Sequence, residues 1–205
     1  MPARPPRVFL LSPAKAGGER MSLLLNPRAG FALAWQFQER GAPLGDLFQF
    51  ASGLYFRGKL AYARAFCRVP EGGCGALAIL PGRGLLDVDT VITADELRAA
   101  AEVPVDLRDP RYREPLERDA RQLAARIGAD GEVVLLGSIA TGKYADALLH
   151  IFGDRLLFPP DFVGRGDMSR GGLLLRCVKS GTELSYAPLQ GAVRHGPRPP
   201  KLGKP

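Results

Sequence analysis

Histidine and cysteine are scarce in this 205-residue chain, which holds two of the first and three of the second. Cys67, Cys74 and Cys177 are an odd number without C-x-x-C spacing, so neither a disulfide framework nor a zinc site is indicated. His150 falls on a predicted helix, where a packed structural role is expected, and His195 falls in the tail. No metal and no cofactor is implied. Long apolar runs are also missing, since none approaches the roughly 18 to 20 residues of a membrane span. The apolar patch at residues 8–11 is too short for the core of a signal peptide and reads as a first strand. No membrane partner is expected, and the chain reads as soluble and cytoplasmic.

What is present is a basic, moderately apolar sequence. A hydrophobic content of 46% allows a sizeable core and argues against global disorder. The formal net charge of +7 points to a polyanionic partner. Part of that excess is local: 194-RHGPRPPKLGKP-205 carries Arg194, Arg198, Lys201 and Lys204 and no carboxylate. Its prolines forbid regular structure, so residues 193–205 read as an extended arm, either a solubilising tail or a phosphate-contacting one. Residues 1–192 read as a single domain.

Periodicity sets a coarse architecture. Strands are expected at residues 8–12, 76–80, 133–136 and 155–158, and helices at 29–40, 52–66, 115–127 and 143–152. Thr93 followed by Glu96 is a capping box that opens a helix to about Ala101. Residues 172–178 and 183–188 read as a C-terminal β-hairpin around 179-KSGT-182. Alternating strands and helices imply one layered α/β domain with a mostly parallel central sheet and flanking helices.

Four stretches carry candidate chemistry. The string 137-GSIATGKY-144 follows a strand and opens a helix, as a phosphate-binding loop does, but Tyr144 stands where Ser or Thr would hold magnesium. No good second metal-binding strand follows, since 155-RLLFPPD-161 is broken by two prolines. That argues against a nucleotide hydrolase, while amide N–H groups at the helix start remain able to hold an anion. The string 12-SPAK-15 matches the S-x-x-K of serine acyl-enzymes, yet the companion elements are absent or badly placed. In 78-AILPGRGLL-86, L-P-G-x-G is either the hairpin of a DNA-contacting helix-hairpin-helix or a plain turn enabled by Gly82 and Gly84. Finally, 164-GRGDMSRGG-172 reads as a flexible loop whose Arg165 and Arg170 suit bidentate phosphate contacts. Asp167 between them is a candidate base or nucleophile, and Tyr144 is another.

Taken in order, these segments resemble the YaaA family of bacterial peroxide-stress proteins and related uncharacterised domains. The resemblance rests on 12-SPAK-15, 84-GLLDVDTVITADEL-97, 134-VLLGSIATGKYADAL-148 and 165-RGDMSR-170. It implies one α/β domain with a cationic cleft, DNA binding through a helix-hairpin-helix-like element, and a part in limiting oxidative damage. The region from Gly17 to Phe50 and the basic tail fall outside the family pattern. Ligands of α/β sheets gather beyond the carboxyl ends of the strands. The expected cleft therefore combines Lys15, Arg83, Lys143, Arg165 and Arg170 as phosphate or nucleic-acid contacts. Ser12, Gly82, Gly84, Gly137, Ser138, Gly142 and Ser169 would line it. The alternative to DNA binding is an enzyme acting on a nucleotide, nucleoside or nucleobase in the same cleft. A third reading is a scaffold whose cleft binds nothing specific.

Overall fold

The segment RVFLL forms β1 (Arg7–Leu11), and every one of its residues is buried. In this computed structural model, which describes residues 5–69, 73–200 and 202, β1 is an inner strand of the sheet. After it come α1 (Glu19–Leu25), α2 (Ala32–Arg40), β2 (Ala42–Pro43), α3 (Leu44–Ser52) and α4 (Leu54–Phe66). Then follow β3 (Ala76–Leu80), β4 (Gly84–Asp87), β5 (Val91–Ile92), α5 (Ala94–Ala101) and α6 (Pro110–Arg126). The chain closes with β6 (Glu132–Leu136), α7 (Gly142–Phe152), β7 (Leu156–Phe158), α8 (Asp167–Ser180) and β8 (Ala187–Pro188).

The main sheet runs β4-β3-β1-β6-β7-β8. Its four inner strands are parallel, and the two edge strands are antiparallel to their neighbours. Helices cover both faces, which is why ALAIL in β3 and VVLL in β6 are apolar without alternation. Alternate residues still divide between the faces. Phe9 and Leu11 join the core under α1 to α5 and α8, whereas Val8 and Leu10 join the core under α6 and α7.

Local signals explain several boundaries. The Thr93 hydroxyl accepts from the Glu96 N–H while Glu96 accepts from the Thr93 N–H, closing the capping box of α5. Helix α6 starts five residues before the expected 115, because Asp109 caps it and Pro110 takes the first turn. The helix expected over 52–66 is α4, which starts two residues later because Gly53, with φ of +57°, separates it from α3.

Two expectations are corrected. Residues 172–178 are the interior of α8 rather than a strand, since a short apolar run fits either element and here Leu174 and Cys177 turn inward at helical spacing. The C-terminal antiparallel pairing exists nonetheless, between β7 and β8, with Phe158 opposite Ala187. The L-P-G-x-G segment joins β3 to β4 as a strand-to-strand turn, so no helix-hairpin-helix forms there. Its Gly84 has φ +87°, and a Cβ at that position would stand 2.6 Å from the Pro115 carbonyl oxygen.

Helices α4 and α8 cross in close contact. A Cβ on Gly58 would meet the Gly171 carbonyl oxygen at 2.7 Å, and a Cβ on Gly171 would meet that of Leu54 at 2.7 Å. Glycine facing glycine lets the two backbones nearly touch, which sets Tyr55 and Lys59 beside the first turn of α8. The C-terminal segment also folds back: a Cβ on Gly164 would lie 2.1 Å from the Pro197 carbonyl oxygen, and Arg194 pairs with Asp146 at 2.7 Å. Lys201 and Lys204 of the expected arm, and Gly72 before β3, lie outside the described residues. Among the described residues, no helix is long and apolar enough to cross a membrane.

Candidate functional site

From β1 the chain crosses to β3 on one side and later to β6 on the other, so the connections leaving β1 and β6 diverge. Such a divergence opens a crevice at the carboxyl ends of the two strands. Ser12 follows β1 there, and Gly137 and Ser138 follow β6. Gly137 has no room for a side chain: a Cβ would stand 2.7 Å from the Ser12 Cβ and 2.8 Å from the Tyr144 hydroxyl oxygen. The resulting cleft has a volume of about 460 Å³, with Lys15 and Lys143 at exposed positions and Ser12, Tyr55, Lys59 and Tyr144 in its wall. Ser52, Ser138 and Asp167 complete its polar lining.

Lys59, which the sequence reading did not single out, is the most unusual residue of the site. It is 1% exposed, and its Nζ lies 2.8 Å from the carbonyl oxygen of Ser12 and 2.9 Å from the Ser12 Oγ. The rings of Tyr55 and Phe56 flank it at 4.6 and 4.7 Å. Burial pulls its pKa down to about 7, against the pull of the Asp167 carboxylate and with added repulsion from Arg170. A sequence signal for it exists: Tyr55, Lys59 and Tyr62 follow each other at four and three residues, which puts the lysine on the apolar face of α4. Arg57 and Arg64 on the same helix are exposed and made Lys59 look like one more solvated charge.

The two cleft tyrosines differ. The Tyr144 hydroxyl donates to the Ser138 carbonyl at 2.8 Å. Burial raises its pKa, and Ser12 and Ser138 oppose that rise. The Tyr55 hydroxyl is buried and has no hydrogen-bond partner of good geometry among the described residues. Burial raises its pKa too, with the nearby positive charge of Arg170 working the other way.

Of the expected site, the structure gathers Ser12, Lys15, Ser138, Lys143, Tyr144 and Asp167 around one cleft, with Gly137 packed beneath. Gly142 opens α7 next to them, its Cα side closed by Asp146. The other residues have structural duties. Arg170 is buried, giving Nε and Nη2 to the Phe162 carbonyl at 3.1 and 3.0 Å and Nη1 to Asp167 at 3.3 Å. Arg165 donates to the carbonyls of Asp161 and Pro200 and to Ser169, and so ties the start of α8 to the C-terminal segment. Arg83, Gly82 and Gly84 belong to the β3–β4 turn; Arg83 pairs with Glu96, and Arg83 and Gly82 line a separate cavity of about 710 Å³ between α5 and α6. The S-x-x-K pattern also resolves differently from its spacing: the lysine on Ser12 is Lys59, and Lys15 is exposed.

No family model matches the chain, and no curated protein and no solved structure matches it.

Proposed function

We infer that the cleft takes a small phosphate-bearing molecule, with nucleotides and nucleosides the first class to test, and that the chain acts on it as an enzyme. The observation that carries this reading is Lys59, a lysine wholly removed from water at the wall of an open cleft. Gripping a phosphate backbone calls for ammonium groups on the surface. Burying one is costly, and what it yields is an amine that is partly unprotonated near neutral pH, the form able to accept a proton. The cleft volume also falls in the range of small-molecule sites, roughly 300 to 1,000 Å³. Lys15 and Lys143 have no ion-pair partner among the described residues and stand ready for an anion.

Duplex DNA binding keeps one supporting observation, the net charge of +7. Against it, Arg165 and Arg170 are engaged within the fold and the β3–β4 turn is flanked by strands. Kinship with the YaaA type is supported by three of its four segments meeting at one cleft, while 84–97 lies apart; a role in oxidative stress rests on that kinship alone.

Thermal-shift titrations with mononucleotides, nucleosides, inorganic phosphate and a short duplex test the proposal. Stabilisation by a mononucleotide, lost in the Lys15→Ala/Lys143→Ala variant, is expected. Stabilisation by the duplex alone, falling steeply with added salt, would transfer the function to DNA binding.

A further inference from the structure

We propose that Ser12 is a nucleophile and Lys59 its general base, so that a phosphoryl group passes through the Ser12 oxygen. The inference rests on the reading of the cleft as catalytic and assigns the chemistry within it. Its basis is geometric. The Ser12 Oγ is 2.9 Å from the Lys59 Nζ, and the same nitrogen is anchored at 2.8 Å by the Ser12 carbonyl. An unprotonated amine placed this way donates one N–H to the carbonyl and turns its lone pair to the hydroxyl proton. Nucleophile and base are then within hydrogen-bond reach, and the base is oriented by a third group.

The other candidates fit the role less well. Tyr144 commits its proton to the Ser138 carbonyl, and Asp167 is largely exposed and tied to Arg170. The charged and titratable groups around Lys59 are Asp167 and Arg170 from α8, Tyr144 from α7 and Tyr55 from its own helix. Lys15 and Lys143 also line the cleft. This set favours loss of the Lys59 proton, because desolvation and the Arg170 charge outweigh the single carboxylate.

In the step, the Ser12 Oγ attacks phosphorus and forms the O–P bond as its proton moves to the Lys59 Nζ. The bond from phosphorus to the leaving group breaks, the leaving group departs with the electron pair, and the ammonium returns the proton to it. Water, deprotonated by the same amine, then splits the phosphoserine and restores both residues. Lys15 and Lys143 supply positive charge for the phosphoryl oxygens.

A fluorophosphonate probe tests the assignment without a known substrate, since it reports attack by Oγ on phosphorus with fluoride as leaving group. Peptide mass spectrometry of the full chain is expected to find the adduct on Ser12, and none there in Ser12→Ala. The labelling rate should climb with pH through a midpoint near 7, the value to which burial brings Lys59. Lys59→Met should slow it at least tenfold. The pH profile of the wild-type protein stands by itself should Lys59→Met not fold. Absence of an adduct at Ser12, or a rate indifferent to pH across that range, overturns the assignment. Nucleotide stabilisation with no Ser12 adduct sinks the nucleophile and leaves the ligand class standing. An adduct without nucleotide stabilisation does the reverse.

Discussion

The two ends of β1 each hold a buried cation, and the molecule handles them in opposite ways. At the amino end Arg7 is 9% exposed and is met by Glu132 at 2.6 Å and by Glu183, with Arg68 reaching Glu132 at 3.0 Å. The Tyr186 ring closes over it at 4.6 Å. Burial alone would lower the Arg7 pKa, but the two glutamates more than offset this and hold it above its usual value. At the carboxyl end Lys59 has two oxygens of Ser12, two aromatic rings and, among the described residues, no carboxylate in contact. One network is electrostatically complete and serves the fold. The other is left incomplete beside an open cleft, which makes Lys59 the candidate for chemistry proposed above.

The sharpest way to break this comparison is to strip the first end of its carboxylates. Glu132→Ala/Glu183→Ala leaves a buried guanidinium unpaired and should cost about 3 kcal/mol, read as a lower urea midpoint. At the second end the same kind of experiment should change sign. Lys59→Met replaces a buried cation by an apolar side chain of similar length, so at pH 6 the variant should be more stable by on the order of 2 kcal/mol. The pH dependence follows from the same shift. Between about 7 and the usual lysine value of 10.5 the unfolded chain binds a proton that the folded chain does not, so wild-type stability rises with pH there. Lys59→Met should lack that rise; a variant that keeps it would show that another group is responsible.

A comparable effect is expected where the cleft is built. Gly171→Ala pushes a methyl group into the Leu54 carbonyl and should cost about 2 kcal/mol by forcing α8 off α4. It should also slow Ser12 labelling, because Lys59 is held by that crossing. The smallest effects belong to the exposed lysines. Lys15→Ala and Lys143→Ala should leave stability within about 0.5 kcal/mol while weakening any phosphate ligand.

How much of this was legible depends on the range of the interaction. The strands β1, β3 and β6 announce themselves as uninterrupted apolar runs, and α5 carries its own start signal in Thr93 and Glu96. Ser12, Lys143 and Tyr144 meet at one cleft, as the sequence suggests, because strand ends in an α/β sheet face a common edge. The glycine-rich segment around Arg170 reads as a loop in the sequence but forms the first turns of α8. Nothing nearby in sequence reveals that Gly171 exists to meet Gly58, or that the Phe162 carbonyl takes the guanidinium. The place of Arg83 after β3 points to the cleft, and only the fold shows it turned to Glu96.

By itself, then, the sequence determined the inner strands of the sheet, the starts of α4, α5 and α7 to within two residues, and the strand ends at which a site had to form, because propensity, capping and apolar periodicity act within a few residues. Only the tertiary structure decided which cation lost its water. That choice depends on two helices more than a hundred residues apart crossing at bare glycines, and desolvation is a property of everything packed around a group rather than of its neighbours in the chain.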